Sequence, residues 1–305
     1  MTAGPPQRIA FLGFGLIAGS MARALAAGRG GDPVPDLVGW SPTNAGPEAA
    51  VRDGVLATAA TSPAAAIEGA DLVVLAAPPL ETVGLVEALG GSLRAALPPE
   101  AVVTDVASTK AAIVAAADAA GLRFVGGHPM AGREVAGYES SVPDLFAGRP
   151  WVLVAGATAD AAALDRVAAV VGACGGRPVR MDAATHDAAV AAISHLPLVV
   201  SAALAEAVAG AGIERPGWAA AAPLAASGWR DMTRLARGDV RMGAGIAATN
   251  PGALARGLHD LRDVLDAWIA ELERAGGPDP DRIQARLRAV RERLGGLGSN
   301  PPDRP

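Results

Sequence analysis

The sequence predicts an α/β fold, in which a doubly wound and mostly parallel sheet is followed by an all-α domain. In the first half of the chain, short apolar runs alternate with Ala-rich helical stretches, as in parallel strands joined by helices. The run at 72–76 is apolar at every position, which is typical of a strand covered on both faces. Strand patterns cease after Asp182, and only helical patterns follow.

Each element is predicted from its own pattern and from the Gly, Pro and polar residues that bound it. Strands are predicted at 8–13, 37–40, 72–76, 102–105, 124–126, 151–154 and 177–181, and the helices of this layer at 17–27, 45–53, 63–68, 80–95, 110–120 and 159–171. Later helices are predicted at 183–210, 216–226, 240–248, 251–275 and 282–294. We therefore expect one domain over residues 1–181 and a helical domain over 182–305.

Composition limits the classes of partner. The 305 residues suffice for two domains of ordinary size, and the net charge of −5 provides no basic field for nucleic acid or an anionic membrane. A single cysteine, Cys174, and the absence of zinc-like Cys/His spacing predict no metal site and a reducing, cytoplasmic location. No signal peptide is expected, and the apolar stretch at 188–213 is predicted to be a buried helix and not a membrane span.

A glycine fingerprint opens the first predicted helix. The run Gly13-Phe14-Gly15-Leu16-Ile17-Ala18 is a GxGxxA variant that directly follows a strand. Gly13 permits the tight turn, Gly15 lets the backbone approach a pyrophosphate on the helix N-terminus, and Ala18 allows close packing. This arrangement predicts a Rossmann-like dinucleotide-binding domain. The predicted cofactor contacts are Gly13, Phe14, Gly15, Leu16, Ile17, Ser41 and Ala77.

The residues leave NAD and NADP open as the cofactor. An NAD site usually carries an acidic residue where the second strand ends, but here that strand ends at Trp40 and Ser41. Asp36 stands at the beginning of the strand, and no arginine follows Ser41 to attract a 2′-phosphate.

Two neighbouring segments carry candidate chemistry. His128 lies in a small-residue stretch, 126–132, which is expected to form a loop at the carboxyl edge of the sheet. Ser108 and Lys110, the only lysine in the chain, follow the preceding strand and are expected to open onto the same crevice. A structural role for Lys110 at a helix N-terminus is the alternative.

Five stretches of the chain together resemble the prephenate/arogenate dehydrogenase family of tyrosine biosynthesis. They are GFGLIAGS, DVASTK, GGHPMAGREVAGYESSVPDLFAGRPWVL, THDAAVAAISHLP and GWRDMTRLA. The resemblance implies NAD(P)-dependent oxidative decarboxylation of a small dicarboxylate, prephenate, to 4-hydroxyphenylpyruvate, with NAD slightly favoured. It also implies a homodimer formed by the helical domain.

The resemblance assigns roles residue by residue. His128 would accept the proton of the substrate hydroxyl, which requires a neutral imidazole, and Ser108 would hydrogen-bond the same hydroxyl. Lys110 would shape or charge the site. His195 would contact the substrate, although its pattern alone favours a satisfied core histidine, and His186 is expected to cap a helix or to pack at the domain junction.

The remaining assignments concern the substrate carboxylates and access to the site. Arg234 would bind a carboxylate, and Arg230, four residues earlier, would share its helix face if the segment is helical. A salt bridge to Asp231 or Asp263 is the alternative for Arg230. Glu134 would gate access or tie the domains together, or would simply lie at the surface.

Three other functions compete with prephenate dehydrogenase. An arogenate or dual-specificity cyclohexadienyl dehydrogenase differs only in the substrate side chain. A 3-hydroxyacid or imine reductase would use a lysine in the second domain, but no lysine follows Lys110. A dinucleotide-binding redox sensor would not need His128 and Ser108 together.

Overall fold

The computed structural model describes residues 5–28, 34–133, 135–213 and 215–296. Eight strands form one sheet in the order β3-β2-β1-β4-β5-β6-β7-β8, and every neighbouring pair is parallel except β6 and β7. The strands are β1 (Arg8–Leu12), β2 (Asp36–Trp40), β3 (Thr58–Ala59), β4 (Leu72–Leu75), β5 (Val102–Asp105), β6 (Phe124–Pro129), β7 (Pro150–Ala155) and β8 (Arg177–Arg180).

Six helices accompany the strands. They are α1 (Leu16–Ala26), α2 (Ala45–Arg52), α3 (Pro63–Ile67), α4 (Pro79–Gly90), α5 (Ala111–Ala119) and α6 (Ala161–Ala173). Alternate residues of each strand enter different apolar clusters, so that Ile9 and Phe11 pack in one cluster while Ala10 and Leu12 pack in the other. The sheet is therefore covered on both faces, which confirms the predicted doubly wound α/β fold.

Two details of the sheet differ from the sequence expectation. The two-residue strand β3 has too few residues to produce an alternating pattern, so it was not predicted. The strand β6 runs on to Pro129, three residues beyond the expected end at Gly126, because it pairs with β7 as far as Pro129 and Trp151. His128 consequently lies in a strand, and the expectation that it lies in a loop is wrong.

Helices alone follow β8 within the described residues. They are α7 (Ala183–Val190), α8 (Leu196–Val208), α9 (Trp218–Ala221), α10 (Ser227–Met232), α11 (Val240–Thr249), α12 (Pro251–Leu272) and α13 (Pro280–Gly295). A π-helical turn, Ala191–His195, joins α7 to α8 and interrupts the single helix expected at 183–210. Pro197 explains this wider turn, because it has no N–H to donate and its ring crowds the carbonyl four residues earlier.

The helix that runs from Ala183 to Val208 is long and apolar enough to cross a membrane by length and composition alone. The expectation that it is buried is wrong for the isolated chain, since Ser201 is the only buried residue of α8. Large apolar side chains of this region are exposed, among them Ile193 (68%) and Val240 (83%). Nothing in the described part of the chain covers these side chains.

Contacts divide the chain into two compact units, Met1–Leu254 and Ala255–Pro305. The first unit holds the sheet, its helices and the helical segment through α11. In the second, Arg282 Nε donates to Glu271 Oε2 at 3.1 Å, and the Arg286 guanidinium lies 4.2 Å from the Trp268 ring centre. The domain boundary expected near residue 182 stays a prediction.

Candidate active site

The turn after β1 is shaped by a glycine that no other residue can replace without strain. Gly13 has a φ of +88°, and a Cβ atom there would lie 2.5 Å from the carbonyl oxygen of Ala76. Its N–H donates to the carbonyl of Trp40 at 2.9 Å, which ties the turn to the end of β2. Strand β1 can therefore pass into α1 only if the backbone approaches β4 this closely.

The next glycine leaves open space in front of the helix. A Cβ atom on Gly15 would meet nothing within 4 Å, and no side chain caps the N-terminus of α1. Ala18 is fully buried against the sheet, while Phe14 and Leu16 direct their side chains into the interior. The uncapped N–H groups and the open approach fit a dinucleotide pyrophosphate, with contacts from the backbone of this turn.

Two further candidate contacts, Ser41 and Ala77, follow β2 and β4 at the same carboxyl edge of the sheet and are partly exposed. The N–H of Ser41 donates to Asn44 Oδ1 at 3.3 Å, so this loop is organised without a carboxylate. Asp36 is engaged at the opposite end of β2, where it forms an ion pair with Arg8.

A buried ion pair lies below the end of β6. Lys110, directly before α5, bonds through Nζ to Asp105 Oδ2, and both side chains are fully buried. Asp105 also accepts hydrogen bonds at 3.0 Å from the N–H groups of Gly127 and Ala107. Burial raises the pKa of Asp105 and lowers that of Lys110, whereas their mutual attraction opposes both shifts.

The two glycines before His128 make room for this pair. A Cβ atom on Gly127 would lie 2.5 Å from the carbonyl oxygen of Asp105, and one on Gly126 would lie 3.1 Å from Lys110 Cδ. The glycines that led us to expect a loop are therefore needed because β6 passes so close to its neighbours. Lys110 directly precedes α5, as one of the two expectations has it, and its charge is paired with Asp105; its effect on the site stays a prediction.

His128 is partly exposed, unlike the buried titratable groups around it. Its ring is partly exposed at the end of β6, and its Nδ1 lies 2.8 Å from Nε2 of His186. Burial lowers the pKa of His128 well below its ordinary value of 6.5, and the nearby His186, Lys110 and His195 lower it further. The imidazole is therefore neutral at physiological pH and able to accept a proton.

His195 brings a second neutral imidazole from the π-helical turn. Its side chain is fully buried, and burial lowers its pKa to about 4. Asn250 Nδ2 lies 3.4 Å from Nδ1 of His195 and donates to the carbonyl of Asp187 at 2.8 Å. If Nδ1 accepts, Nε2 carries the proton, and this buried N–H has no hydrogen-bond partner within the described residues.

Like His195, Ser108 has a buried polar atom, its Oγ, without a hydrogen-bond partner among the described residues. Buried polar atoms are nearly always satisfied, so the unpaired Ser108 Oγ and His195 Nε2 are available to hydrogen-bond a bound ligand or water. The expectation of a satisfied core histidine does not hold for His195.

The predicted carboxylate-binding residues lie in exposed segments. The helix α10 ends at Met232, and Thr233 Oγ1 donates back to the carbonyl of Trp229 at 2.7 Å. Arg230 and Arg234 are exposed and do not share one helix, so the expected common helix face is absent. Glu134 lies outside the described residues.

Sequence reasoning did not assign Asp187 or Asn250 to the site, and it gave His186 only a role in capping a helix or in packing at the domain junction. Asp182, and not His186, caps α7 by accepting the N–H of Thr185 at 2.8 Å. His186 is instead packed between His128 and Asp187, and both it and Asp187 are buried. The adjacent His-Asp pair and the Asn250-Pro251 helix start were the available signals, but neither indicated a spatial partner.

Comparisons with known proteins identify the family of the chain. Two family models match the chain, "Prephenate dehydrogenase, nucleotide-binding domain" over residues 31–180 and "Prephenate dehydrogenase, dimerization domain" over residues 182–282. Prephenate dehydrogenase of Bacillus subtilis is 29% identical over 269 residues, which cover 87% of this chain and 68% of that protein. Cyclohexadienyl dehydrogenase of Zymomonas mobilis is 30% identical over 211 residues, which cover 68% of each.

Solved structures extend the likeness to nearly the whole chain. Synechocystis arogenate dehydrogenase is 33% identical with a TM-score of 0.74, and the match covers 94% of this chain and 99% of that one. Prephenate dehydrogenase of A. aeolicus, solved with hydroxyphenyl propionate and NAD+, is 25% identical with a TM-score of 0.78 over 95% of this chain and 98% of that one. The chain thus belongs to the prephenate dehydrogenase family and is an oxidoreductase with a nucleotide-binding domain for NAD(P).

Proposed function

We propose that the chain catalyses the NAD(P)-dependent oxidative decarboxylation of prephenate to 4-hydroxyphenylpyruvate. One observation carries this proposal, namely a neutral imidazole, His128, in the same compact unit as Ser108 Oγ and His195 Nε2, two buried polar atoms to which no described residue is hydrogen-bonded. A substrate with a ring hydroxyl and carboxylate oxygens would satisfy these atoms.

The chain's own residues bind the substrate and move one proton. His128 accepts the proton of the ring hydroxyl on its unprotonated nitrogen, while Ser108 donates to or accepts from the same oxygen and orients it. NAD(P), when bound at the N-terminus of α1, supplies the hydride acceptor. Loss of the ring hydrogen as hydride and of the hydroxyl proton to His128 leaves a ring carbonyl. The ring carboxylate then leaves as carbon dioxide, its bonding electrons pass through the ring to the carbonyl oxygen and make the ring aromatic, and that oxygen takes a proton back.

The helical segment supplies the groups for the anionic ends of the substrate. His195, neutral at physiological pH, offers its buried N–H to a substrate oxygen. Arg234, assisted by Arg230, binds the side-chain carboxylate through a charge-assisted pair, and Glu134 controls access. Lys110 and Asp105, paired below β6, supply a fixed local field and do not contact the substrate.

Arogenate is the second candidate substrate, and a specific observation favours it. The Synechocystis enzyme named for arogenate has 33% identity over 94% of this chain. Prephenate and arogenate differ by a keto or an amino group on the side chain, away from the ring at which His128 acts. The reaction at the ring is the same for both.

A four-way assay tests the proposal. The purified chain is supplied with prephenate or arogenate, each with NAD+ or NADP+, and formation of reduced cofactor is followed by absorbance. Turnover of prephenate at a higher kcat/KM than arogenate supports the first candidate, the reverse order supports the second, and no turnover in any of the four assays contradicts both.

We also propose a cytoplasmic homodimer in which a second copy covers exposed apolar side chains of the helical segment that follows β8. The family model over residues 182–282 is that of a dimerization domain, and Ile193 and Val240 are 68% and 83% exposed in the single chain. Light scattering is expected to give twice the chain mass, and Ile193→Asp is expected to give monomers. A monomeric parent protein would reject this assembly.

A further inference from the structure

Two residues that the proposed reaction does not use lie directly behind His128. His186 Nε2 is 2.8 Å from His128 Nδ1, and His186 Nδ1 is 2.7 Å from Asp187 Oδ1. His186 and Asp187 are 1% and 4% exposed, so solvent does not compete for these hydrogen bonds. Together the three side chains form a chain of hydrogen bonds from α7 to the end of β6.

Asp187 sets the direction of this chain of bonds. Its two carboxylate oxygens accept the backbone N–H groups of Lys110 and Ala111, each at 2.8 Å. Burial opposes ionisation of Asp187, but the hydrogen bonds from His186 and from these N–H groups outweigh it and lower the pKa. Asp187 is therefore ionised and can only accept hydrogen bonds.

The protons of both rings follow from that direction. Because Asp187 only accepts, Nδ1 of His186 carries the proton, and a His186 ring with one proton has a lone pair on Nε2. That lone pair accepts a hydrogen bond, so Nδ1 of His128 must carry a proton. The lone pair of a neutral His128 is then on Nε2, the nitrogen that does not face His186.

We infer that His186 and Asp187 are a positioning pair that holds His128 in the Nδ1–H tautomer, with Nε2 as the proton acceptor. The inference rests on the proposed function, because that function gives His128 a proton to accept. In the reaction the substrate O–H bond breaks and an Nε2–H bond forms on His128. His186 and Asp187 keep their own protonation, and their hydrogen bonds stabilise the imidazolium while it exists.

The other charged and titratable groups near this chain of bonds have partners of their own. Lys110 is bonded to Asp105, and His195 lies beside Asn250. Among the described residues, no other group is bonded to Nδ1 of His128. The tautomer of His128 therefore depends on His186 alone.

Nitrogen NMR of the imidazole rings tests the inference without any turnover. The full chain contains only four histidines, so ¹⁵N-histidine labelling gives a spectrum that can be assigned by substitution. At neutral pH we expect His128 and His186 both to carry the proton on Nδ1, whereas exposed His259 shows the averaged signal of a solvated ring. A proton on Nε2 of His128 in the parent protein would overturn the inference.

Substitutions of the pair test its effect on the reaction. Asp187→Ala removes the oxygen that accepts from Nδ1 of His186, so His186 no longer has to carry its proton there and the Nδ1–H tautomer of His128 is no longer enforced. We expect kcat to fall by about 10²- to 10⁴-fold with little change in KM, as for other losses of a correctly oriented base. The same ¹⁵N spectrum reports whether the tautomer has changed and whether the fold is retained.

A second pair of variants separates positioning from packing. His186→Gln keeps an acceptor near the position of Nε2 and is expected to retain kcat within about 10-fold, whereas His186→Leu removes the acceptor and is expected to lose about 10²-fold or more. His259→Gln, on the exposed side of α12, is the matched control and should leave kcat unchanged. Equal losses for Gln and Leu would indicate packing alone and reject the positioning role.

The outcomes distinguish this inference from the proposed function. If no substrate is turned over but both rings carry Nδ1–H, the tautomer assignment stands and the assignment of the reaction fails. If prephenate or arogenate is turned over but His128 carries Nε2–H, the reaction stands and the positioning pair is rejected.

Discussion

Apolar residues are buried in the sheet but largely left uncovered in the helical segment that follows it. Every residue of β4 and β5 is buried, whereas α8 buries only Ser201. The sheet is covered on both faces by helices of its own layer, while the residues of α8 other than Ser201, whose Oγ accepts from the N–H of Ala236 at 3.0 Å, stay half-buried or exposed. The sheet region completes its own core, and the helical segment requires a further surface.

The two regions also divide the chemistry. The sheet contributes the cofactor turn and His128, and the helical segment contributes His186, His195 and Asn250. The buried polar groups are therefore joined across elements that are far apart in sequence, since His128 and His186 are 58 positions apart. Substitutions in each region should change different steps of the reaction, and this difference can be measured.

The largest expected effect is that of His128→Asn in the sheet region. Loss of the proton acceptor should lower kcat by about 10²- to 10⁴-fold, while cofactor affinity, measured by fluorescence titration, barely changes. Unchanged turnover would show that another group accepts the proton, and the division of roles would then be wrong.

A smaller effect is expected for Arg234→Ala in the helical segment. Loss of one charge-assisted hydrogen bond to a carboxylate costs about 1.5–3 kcal/mol, which corresponds to a KM increase of about 10- to 100-fold. Arg237→Ala, an exposed arginine three residues later, is the control. If both variants bind substrate like the parent, the carboxylate is held elsewhere.

Within the sheet region, substitutions of two glycines should have different effects, one on the free energy of unfolding and the other on cofactor affinity. Gly13→Ala should lower the free energy of unfolding by about 1–3 kcal/mol, because φ is +88° and the new Cβ would lie 2.5 Å from the Ala76 oxygen. Gly15→Ala meets no protein atom within 4 Å, so stability should be retained while cofactor affinity falls. Urea denaturation and cofactor titration measure the two effects, and equal stability losses would contradict this distinction.

The smallest expected effect is a pH dependence of the free energy of unfolding, to which His195 of the helical segment contributes. The pKa of His195 is about 4 in the folded chain and about 6.5 when unfolded, so the unfolded state binds more protons between these values. The free energy of unfolding should fall as pH is lowered from 6.5 toward 4, and the part due to His195 is about 1–2 kcal/mol at pH 5–6. Urea midpoints across this range measure the slope, and His195→Gln should reduce it but leave the part that the lowered pKa of His128 contributes.

Much of the fold could be predicted because its signals are local. The strand, glycine turn and helix at residues 8–26 need only a few consecutive residues to be identified, and the predicted bounds of β1 and α1 are within one residue of those observed. The two-residue strand β3 and the end of β6 could not be predicted in this way. Their extent is decided by pairing with another strand.

The candidate site was predictable only in part. His128, Ser108 and His195 were identified by resemblance, but the unpaired state of Ser108 Oγ and His195 Nε2 depends on what surrounds them. The expected common face of Arg230 and Arg234 failed because α10 ends at Met232. The role of His186 was missed because its partner His128 lies on a different element.

The sequence by itself determined the order of strands and helices, the glycine turn and the family. Apolar periodicity and turn residues act between neighbours in the chain, and family motifs are contiguous. Only the tertiary structure decided which side chains face His128 and which apolar surface of α8 is left uncovered. Contacts between residues such as His128 and His186 arise when separate elements pack together, and no local pattern encodes that geometry.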